Sequence, residues 1–278
     1  MFNSFSKSIL FAPLLSLLLG GVLVVSCGDD DNEEDVQTSS SNLNGGTPAF
    51  DGEDKVFTVN GVSFKMIAVK SGTFQLGSDD WYDNEKPVHQ VTLSDYYIGE
   101  TEVTQELWSA VMGSNPSYFT GNMQRPVEWV SWNDCQTFIS KLNQLTGETF
   151  RLPTEAQWEY AARGGNKSKG YTYSGSDAID DVAWYDDNSD RMTHPVKTKA
   201  PNELGIYDMS GNVAEWCSDW YGSYSSAAQN DPTGPSTGSD RVYRGGGWII
   251  SAAGCRVAYR SSYAPTVSGS DLGLRLAH

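Results

Sequence analysis

The first structured segment of the chain has two runs rich in hydrophobic, β-favouring residues, separated by a polar turn. Residues 56–69 read VFTVNGVSFKMIAV, in which two β-rich runs flank the dipeptide Asn60-Gly61. This dipeptide tolerates the positive φ angles of a tight hairpin turn. The pattern therefore predicts a β-hairpin at the start of the domain.

A helical period begins further along the chain, at residues 131–147. Ser131 and Asp134 stand at the spacing of a capping box, and Gly147 provides a stop. The apolar stripe of the predicted helix comprises Cys135, Phe138, Leu142 and Leu145. Because Cys135 lies on this stripe, we expect it to pack in the core rather than to do chemistry.

Residues 153–165 repeat the same helical pattern. Thr154 and Gln157 have the capping-box spacing, and Gly164 marks the end of the segment. The positions predicted to face inward are Trp158, Ala161 and Ala162. A second helix is therefore expected close behind the first.

The pattern becomes irregular after Gly165. This part of the chain is rich in Gly, Ser, Asn, Asp and Trp, with short strand-like pieces between long connections. Long loops inside a compact domain indicate a function or an external organiser such as a metal. Together with the hairpin and the two helices, this composition predicts a single α+β domain over residues 55–278 with little regular secondary structure.

The amino terminus carries a different signal. Lys7 precedes an apolar run that stops at Cys27, as in export signals. An apolar run ending at a cysteine resembles a bacterial lipobox, so residues 1–26 are predicted to be a lipoprotein signal peptide and Cys27 the lipidated residue. A plain signal peptide and an uncleaved anchor are the alternatives.

Residues 27–54 are acidic and then rich in Ser, Asn and Gly. They have almost nothing to bury and are predicted to form a disordered tether. The whole chain has 35 acidic and 19 basic residues, a formal net charge of −16. Such a charge repels phosphate backbones, so nucleic acid is not expected as a partner.

Several phrases, in order along residues 55–278, resemble the sulfatase-modifying-factor family, which includes the formylglycine-generating enzymes. They are GTFQLGS from Gly72, PVHQVTLSDYYIGETEVTQELW from Pro87, RPVEWVSWNDC from Arg125, RLPTEAQWEYAARGG from Arg151, GIYDMSGNVAEWCSDWYG from Gly205, RVYRGGGW from Arg241, CRVAYR from Cys255 and LGLRLA from Leu272. The resemblance implies an irregular, C-type-lectin-like α+β domain. Its implications for function are broader, because the family includes oxidases, iron-dependent sulfur-transfer enzymes, structural proteins and binding proteins.

Catalysis in the formylglycine-generating branch implies copper held by a Cys-x4-Cys pair. Copper(I) prefers thiolate ligands, which aliphatic side chains cannot replace. Here Cys255 matches one position of the pair, but Ile250 stands at the other. The iron-dependent branch implies a histidine-rich site, whereas this chain has only His89, His194 and His278, scattered along its length.

The resemblance also implies two structural devices. Cys217 and Cys255 lie in motifs that such folds bring close together, so we expect a disulfide between them, with a free reactive thiol as the alternative. The family places a structural calcium site in GIYDMSGNVAEW, where the matching ligands are Asp208, Gly211, Val213 and Glu215. Hydrogen bonding of the loop by Glu215 and Asn212 is the alternative to calcium.

The last forty residues have the composition of a recognition surface. Tyrosine provides a large contact area at low entropic cost, and serine and glycine adapt to a ligand. The residues expected to bind ligand are Trp248, Ile249, Ile250, Ser251, Tyr259, Ser261, Ser262 and Tyr263. The arrangement resembles the variable region of proteins diversified by retroelements, with an ordinary carboxyl terminus of the family as the alternative.

These observations favour a lipid-anchored, exported protein that binds or displays a ligand and has no oxidase activity. Its expected partner is an unidentified protein or cell-surface ligand, and its expected location is the bacterial envelope, anchored to the outer membrane and exposed at the surface. Two alternatives stay open. One is a formylglycine-generating oxidoreductase that uses copper and Cys255, and the other is a structural subunit of an envelope assembly.

Overall fold

The structure, a computed structural model, describes residues 50–278. The predicted signal peptide, Cys27 and nearly all of the predicted tether lie outside the described residues. Within them, the first sheet has the order β1 (Lys55–Val59), β2 (Val62–Val69), β5 (Tyr96–Gly99). The second has the order β3 (Gly72–Leu76), β4 (His89–Leu93), β7 (Gln229–Asn230). The third has the order β10 (Leu272–Gly273), β6 (Ala214–Trp220), β8 (Arg241–Arg244), β9 (Arg260–Tyr263).

Short α-helices accompany these sheets. They are α1 (Gln105–Met112), α2 (Trp132–Thr146), α3 (Glu155–Ala162) and α4 (Ile179–Val182). Residues 183–213 contain neither helix nor strand, in agreement with the predicted α+β domain of low regular secondary structure. Over residues 50–278, none of the helices combines the length and the apolar character needed to cross a bilayer.

The predicted hairpin is confirmed. Strands β1 and β2 pair in antiparallel register around Asn60 and Gly61, whose φ angles are 47° and 84°. Both values lie in the left-handed region that Asn and Gly tolerate best. The hairpin continues into β5, which pairs with β2 and brings Met66 opposite Gly99.

Both predicted helices are confirmed, with complete capping boxes. In α2 the Ser131 hydroxyl accepts from the Asp134 amide, and the Asp134 carboxylate accepts from the Ser131 amide. Thr154 and Gln157 make the same exchange at α3. Cys135, Phe138 and Leu142 are buried as expected.

One position of the predicted stripe is wrong. Leu145 is 51% exposed, and Ile139 is buried in its place. At about 100° per residue, a position ten residues after Cys135 has rotated to the edge of the buried face, whereas Ile139 follows Cys135 by four. The helix ends shortly afterwards at Gly147, with φ 76°.

Helix α1 was not predicted from the sequence, although its end signals are present there. Thr104 caps it by accepting from the Leu107 amide, and Gly113 ends it in the left-handed conformation with φ 80°. Leu107, Trp108 and Val111 form its buried face. Unlike α2 and α3, this helix has no capping box, because Leu107 stands at the third helical position.

Two hydrophobic clusters lie on opposite faces of β6. Trp216 belongs to the cluster that contains α1 and α2, while the next residue, Cys217, belongs to the cluster that contains α3. Successive side chains of a strand point to opposite faces. Strand β6 therefore contributes side chains to both hydrophobic clusters, which explains why almost all of its residues are buried.

Candidate functional site

Cys255 lies at the end of a short 3-10 turn, Ala252–Cys255, and is fully buried. It packs in a small cluster with Ala183 and Tyr185. Burial raises the pKa of the Cys255 thiol to about 12, with a further contribution from Asp186. The sulfur is therefore a neutral thiol at physiological pH, whereas a nucleophilic cysteine must be a thiolate.

The side chain at the second position of the copper pair is aliphatic. Ile250 is partly buried against Cys255, and its carbonyl oxygen lies 4.0 Å from Sγ of Cys255. The neighbouring arginines do not activate the thiol. Arg256 pairs with Glu85, at 2.6 Å, and Arg260 pairs with Glu155, at 2.7 Å.

The expected disulfide between Cys217 and Cys255 is wrong for this structure, in which both are free buried thiols. Cys217 points from β6 into the cluster around α3, whereas Cys255 sits in the separate cluster with Ala183. Each thiol is packed by its own set of apolar neighbours, so the two sulfurs are not presented to each other. Cys135 is also free and buried, in the core beside Phe138, as expected.

The three histidines contact different parts of the fold. Nδ1 of His89 lies 3.0 Å from the Pro87 carbonyl oxygen at the start of β4. The ring of His194 stacks on Trp184 with centroids 3.8 Å apart, and Nε2 of His278 lies 3.1 Å from Glu148. Each ring is placed by its own local contacts.

One of the residues predicted to bind calcium, Glu215, pairs with a buried arginine. Arg275 donates to both carboxylate oxygens of Glu215, at distances of 2.7 to 3.0 Å, and Trp158 donates to Oε2 at 2.6 Å. A calcium ion needs such oxygens as ligands, but these already neutralise a guanidinium. Pairing of Glu215 with Arg275 argues against calcium at the set of Asp208, Gly211, Val213 and Glu215, which stays a prediction of the family resemblance.

The rest of this loop is held by hydrogen bonds. Oδ1 of Asn212 accepts from the His194 amide, and the buried Glu102 accepts from the Asn212 side chain and the Val213 amide. Asp208 accepts from the Lys197 amide, and burial raises its pKa to about 6. In residues 50–278 no group of three or more His, Cys, Asp or Glu side chains is arranged to hold a metal ion.

The predicted ligand-binding residues divide into exposed side chains and framework. Trp248 is almost buried, and its Nε1 donates to the Ser270 carbonyl at 2.8 Å. Ile249 is 52% exposed, and Ser251 is also exposed. Trp248 thus belongs to the framework under this part of the surface, while the side chains of Ile249 and Ser251 face solvent.

The second part of the predicted surface lies on β9. Tyr243 pairs with Ser261 and Arg241 with Tyr263, so Tyr243, Ser261 and Tyr263 share one face. Tyr263 is 44% exposed, and its ring stacks on Tyr243 with centroids 5.0 Å apart. Ser262 pairs with Val242 and points to the other face.

Gly254 lies close to one residue from each part of the predicted surface, Ile250 and Tyr259. A Cβ atom on Gly254 would lie 2.4 Å from Cγ2 of Ile250 and 3.8 Å from Cε1 of Tyr259. Only a residue without a side chain allows this approach. The absence of a side chain at Gly254 therefore lets Ile250 pack closely against it, with Tyr259 nearby.

Four exposed aromatic residues outside the last forty residues were not predicted from the sequence as part of a surface. They are Trp81, Tyr82, Tyr118 and Trp129. Tyr82 packs edge-on against Tyr259, with centroids 5.9 Å apart, and thereby extends the predicted surface. Their signal in the sequence is weak, because a single aromatic residue in a polar loop looks the same whether it is buried or exposed.

Comparisons with known proteins agree with this fold. Residues 56–278 match the family model described as the sulfatase-modifying factor enzyme 1-like domain. The solved structure of Treponema denticola variable protein 1 is 39% identical, with a TM-score of 0.77, and the match covers 83% of this chain and 99% of that one. The chaperone protein LppX of Paenibacillus barcinonensis is 37% identical over 77% of this chain and 89% of its own length. The formylglycine-generating enzyme of Streptomyces coelicolor is 32% identical over 77% of this chain and 88% of its own length.

Proposed function

Because the chain belongs to the sulfatase-modifying factor enzyme 1-like family, we propose that it uses this fold to bind a ligand at an exposed surface and not to oxidise a cysteine. The surface consists of Ile249, Ser251, Tyr259, Ser261 and Tyr263. Its expected ligand is a protein or another molecule of a cell surface. The main observation in favour of this proposal is that Cys255 is a single thiol, buried among apolar side chains beside Ile250.

The chemistry of the thiol supports this proposal. An oxidase of this family would need two thiolates to hold copper(I), and an open path for a substrate cysteine. Cys255 is fully buried, its raised pKa keeps it protonated, and Ile250 offers no donor atom. A lone buried thiol cannot provide the two soft ligands that this copper chemistry requires.

The composition and exposure of the surface support binding. Tyrosine side chains with one apolar face and one hydroxyl are efficient contact residues, and small neighbours let them adapt. Among the relatives, one is named a chaperone and another a variable protein, and neither name denotes an oxidase. The match to the variable protein also favours a carboxyl-terminal segment that tolerates sequence change.

The proposal includes an envelope location. The apolar run that ends at Cys27 supports export and lipid attachment, and the acidic residues that follow support transfer to the outer membrane. A lipid anchor at Cys27 would hold the domain at the membrane surface. The acidic chain disfavours nucleic acid as a partner.

An oxidase assay tests the central claim. The purified protein is incubated with a cysteine-containing sulfatase peptide, copper and oxygen, and the peptide aldehyde is measured by mass spectrometry. The parent protein is expected to produce none above the protein-free background. The matched control is Ile250→Cys, which restores the Cys-x4-Cys pair and should bind copper(I) more tightly than the parent. Aldehyde formation by the parent protein at a rate proportional to its concentration would overturn the proposal.

A further inference from the structure

Two exposed aromatic rings, those of Tyr118 and Trp129, stack on each other. Both lie more than 100 residues before the proposed ligand surface in the sequence. Their centroids lie 6.2 Å apart at an interplanar angle of 29°. Tyr118 is 69% exposed and Trp129 is 49% exposed. We call this pair the aromatic platform.

The backbone at Trp129 is in a costly conformation. Its φ angle is 64°, whereas five of the eight described non-glycine residues with positive φ are Asn or Asp. A bulky side chain in the left-handed region is disfavoured, and such strain concentrates at functional sites. Since Trp129 is half exposed, packing does not explain why an indole occupies a position that suits Asn or Gly better.

Hydrogen bonds on both sides of Trp129 fix this conformation. The Trp129 amide donates to the Gly269 carbonyl at 2.8 Å, and the Val127 amide donates to the Val103 carbonyl at 2.8 Å. The Val130 carbonyl accepts from Nε1 of Trp216 at 3.1 Å. The fold therefore holds the indole at the surface in one place.

The platform adjoins the proposed ligand surface. Phe119 packs edge-on against Tyr118, with centroids 5.0 Å apart, and against Trp248, with centroids 5.1 Å apart. Trp129 and Trp248 also bind consecutive carbonyls, those of Gly269 and Ser270. Ile249 follows Trp248 directly, so the platform extends the exposed surface on that side.

A carboxylate lies beneath the platform. Glu128 is fully buried, and its Oε1 accepts from the Phe119 amide at 2.7 Å. Its Oε2 is buried and has no hydrogen-bond partner. Burial raises the pKa of Glu128, and Asp271 raises it further while Arg125 lowers it. The turn that carries Tyr118 and Phe119 is thus packed against a buried carboxyl group, one oxygen of which has no hydrogen-bond partner.

We propose that the aromatic platform binds an arginine or lysine side chain of a polypeptide partner. Aromatic faces attract cations, a bound cation would favour the ionised form of Glu128, and the chain as a whole has a formal charge of −16. A neutral saccharide would use the ring faces but would gain little from the charge. The inference rests on the proposed function and names the chemistry of its partner.

The test measures binding of a fluorescent hexa-arginine peptide to the full chain by anisotropy at physiological salt. Trp129→Asn removes the ring but not any charge, and it is expected to weaken binding at least about 5-fold. Because Asn tolerates the left-handed region, the same variant should raise the melting temperature by about 2 °C. Weaker binding in a more stable protein cannot come from misfolding.

Matched variants sharpen the result. Trp129→Phe keeps a flat face and should bind within about 2-fold of the parent, while Leu145→Ala removes an exposed apolar side chain on α2 and should have no effect. Glu128→Gln keeps Oε1 as an acceptor for Phe119 and removes the charge, and should weaken binding about 3-fold.

Three results would overturn the proposal. Binding of hexa-arginine that is unchanged in Trp129→Asn would mean that net charge alone attracts the peptide. Trp129-dependent binding of cellohexaose without binding of hexa-arginine would assign the platform to saccharides, and Trp129-dependent binding of zwitterionic vesicles alone would assign it to lipid. None of these results affects the oxidase assay, so failure here is distinguishable from failure of the proposed function.

Discussion

The carboxyl group of Asp219 is buried next to Glu155, whose amide donates to it at 3.1 Å. Burial raises its pKa from 3.8 to about 7, and the charge on Glu155 adds to the shift. The folded protein therefore holds a proton here over a pH range in which the unfolded chain has released it. The stabilisation from this group is complete below about pH 4 and is lost as the pH rises through about 7.

Asp219→Asn carries no charge at any pH, so its stability relative to the parent should depend on pH. We expect the variant to be more stable by about 2 kcal/mol at pH 8 and nearly equal at pH 4. Urea unfolding at several pH values measures this difference. Asp187→Asn removes an exposed carboxylate and controls for the loss of one negative charge. A difference that stays constant from pH 4 to pH 8 would show that Asp219 is ionised throughout.

At some single residues, the sequence alone does not predict the exposure, backbone conformation or partner of the side chain. Trp129 reads as an apolar residue between buried neighbours, yet it is half exposed with positive φ, because hydrogen bonds from distant segments set its backbone. Cys217 and Cys255 were expected to pair, because the family fold brings their motifs together. The structure gives each its own apolar cluster. Such outcomes depend on tertiary contacts that no local pattern records.

Among the elements, α2 is specified most clearly by local signals. Its first turn depends on the exchange between Ser131 and Asp134. Ser131→Ala removes the acceptor for the Asp134 amide and should lower the free energy of unfolding by about 1 kcal/mol. Chemical denaturation measures this loss. Ser140→Ala, at an exposed position inside the same helix, should be neutral or slightly stabilising, and equal losses at both positions would contradict the capping role.

Elements with strong local chemistry could be predicted from the sequence, and the others could not. The hairpin, α2 and α3 each contain a turn dipeptide or a capping box. Strands β7 and β10 have only two residues each, and their pairing with β4 and β6 is decided by chain segments more than 50 residues away. Helix α1 lies between these cases, since Thr104 provides a cap but Leu107 stands where a capping box needs an acidic or amide side chain.

At the scale of the whole molecule, the motifs of residues 55–278 were enough to predict the family and its irregular α+β domain, which the fold and the comparisons confirm. The same motifs predict the metal ligands less reliably than they predict the fold. Glu215 matches a calcium ligand by position, but its two oxygens bind Arg275. A motif fixes the backbone path more reliably than it fixes the partner of each side chain.

Calcium should therefore have little effect on stability. We expect the melting temperature in millimolar calcium chloride and in EGTA to agree within about 1 °C, because Glu215 is already neutralised. Differential scanning calorimetry makes the comparison. Glu215→Gln leaves Arg275 buried without its partner and should lower the melting temperature equally in both buffers. A rise of several degrees with calcium, absent in Glu215→Gln, would restore the site implied by the family.

The buried ion pairs have a consequence for how this protein can change. Arg244, Arg256, Arg260 and Arg275 are all buried, and each binds a carboxylate from a distant part of the chain. The exposed residues Ile249, Ser251 and Tyr263 lie between or beside these arginines in the sequence. We expect substitutions at these three positions to leave the ion pairs intact, so that the same interior can carry surfaces of different specificity.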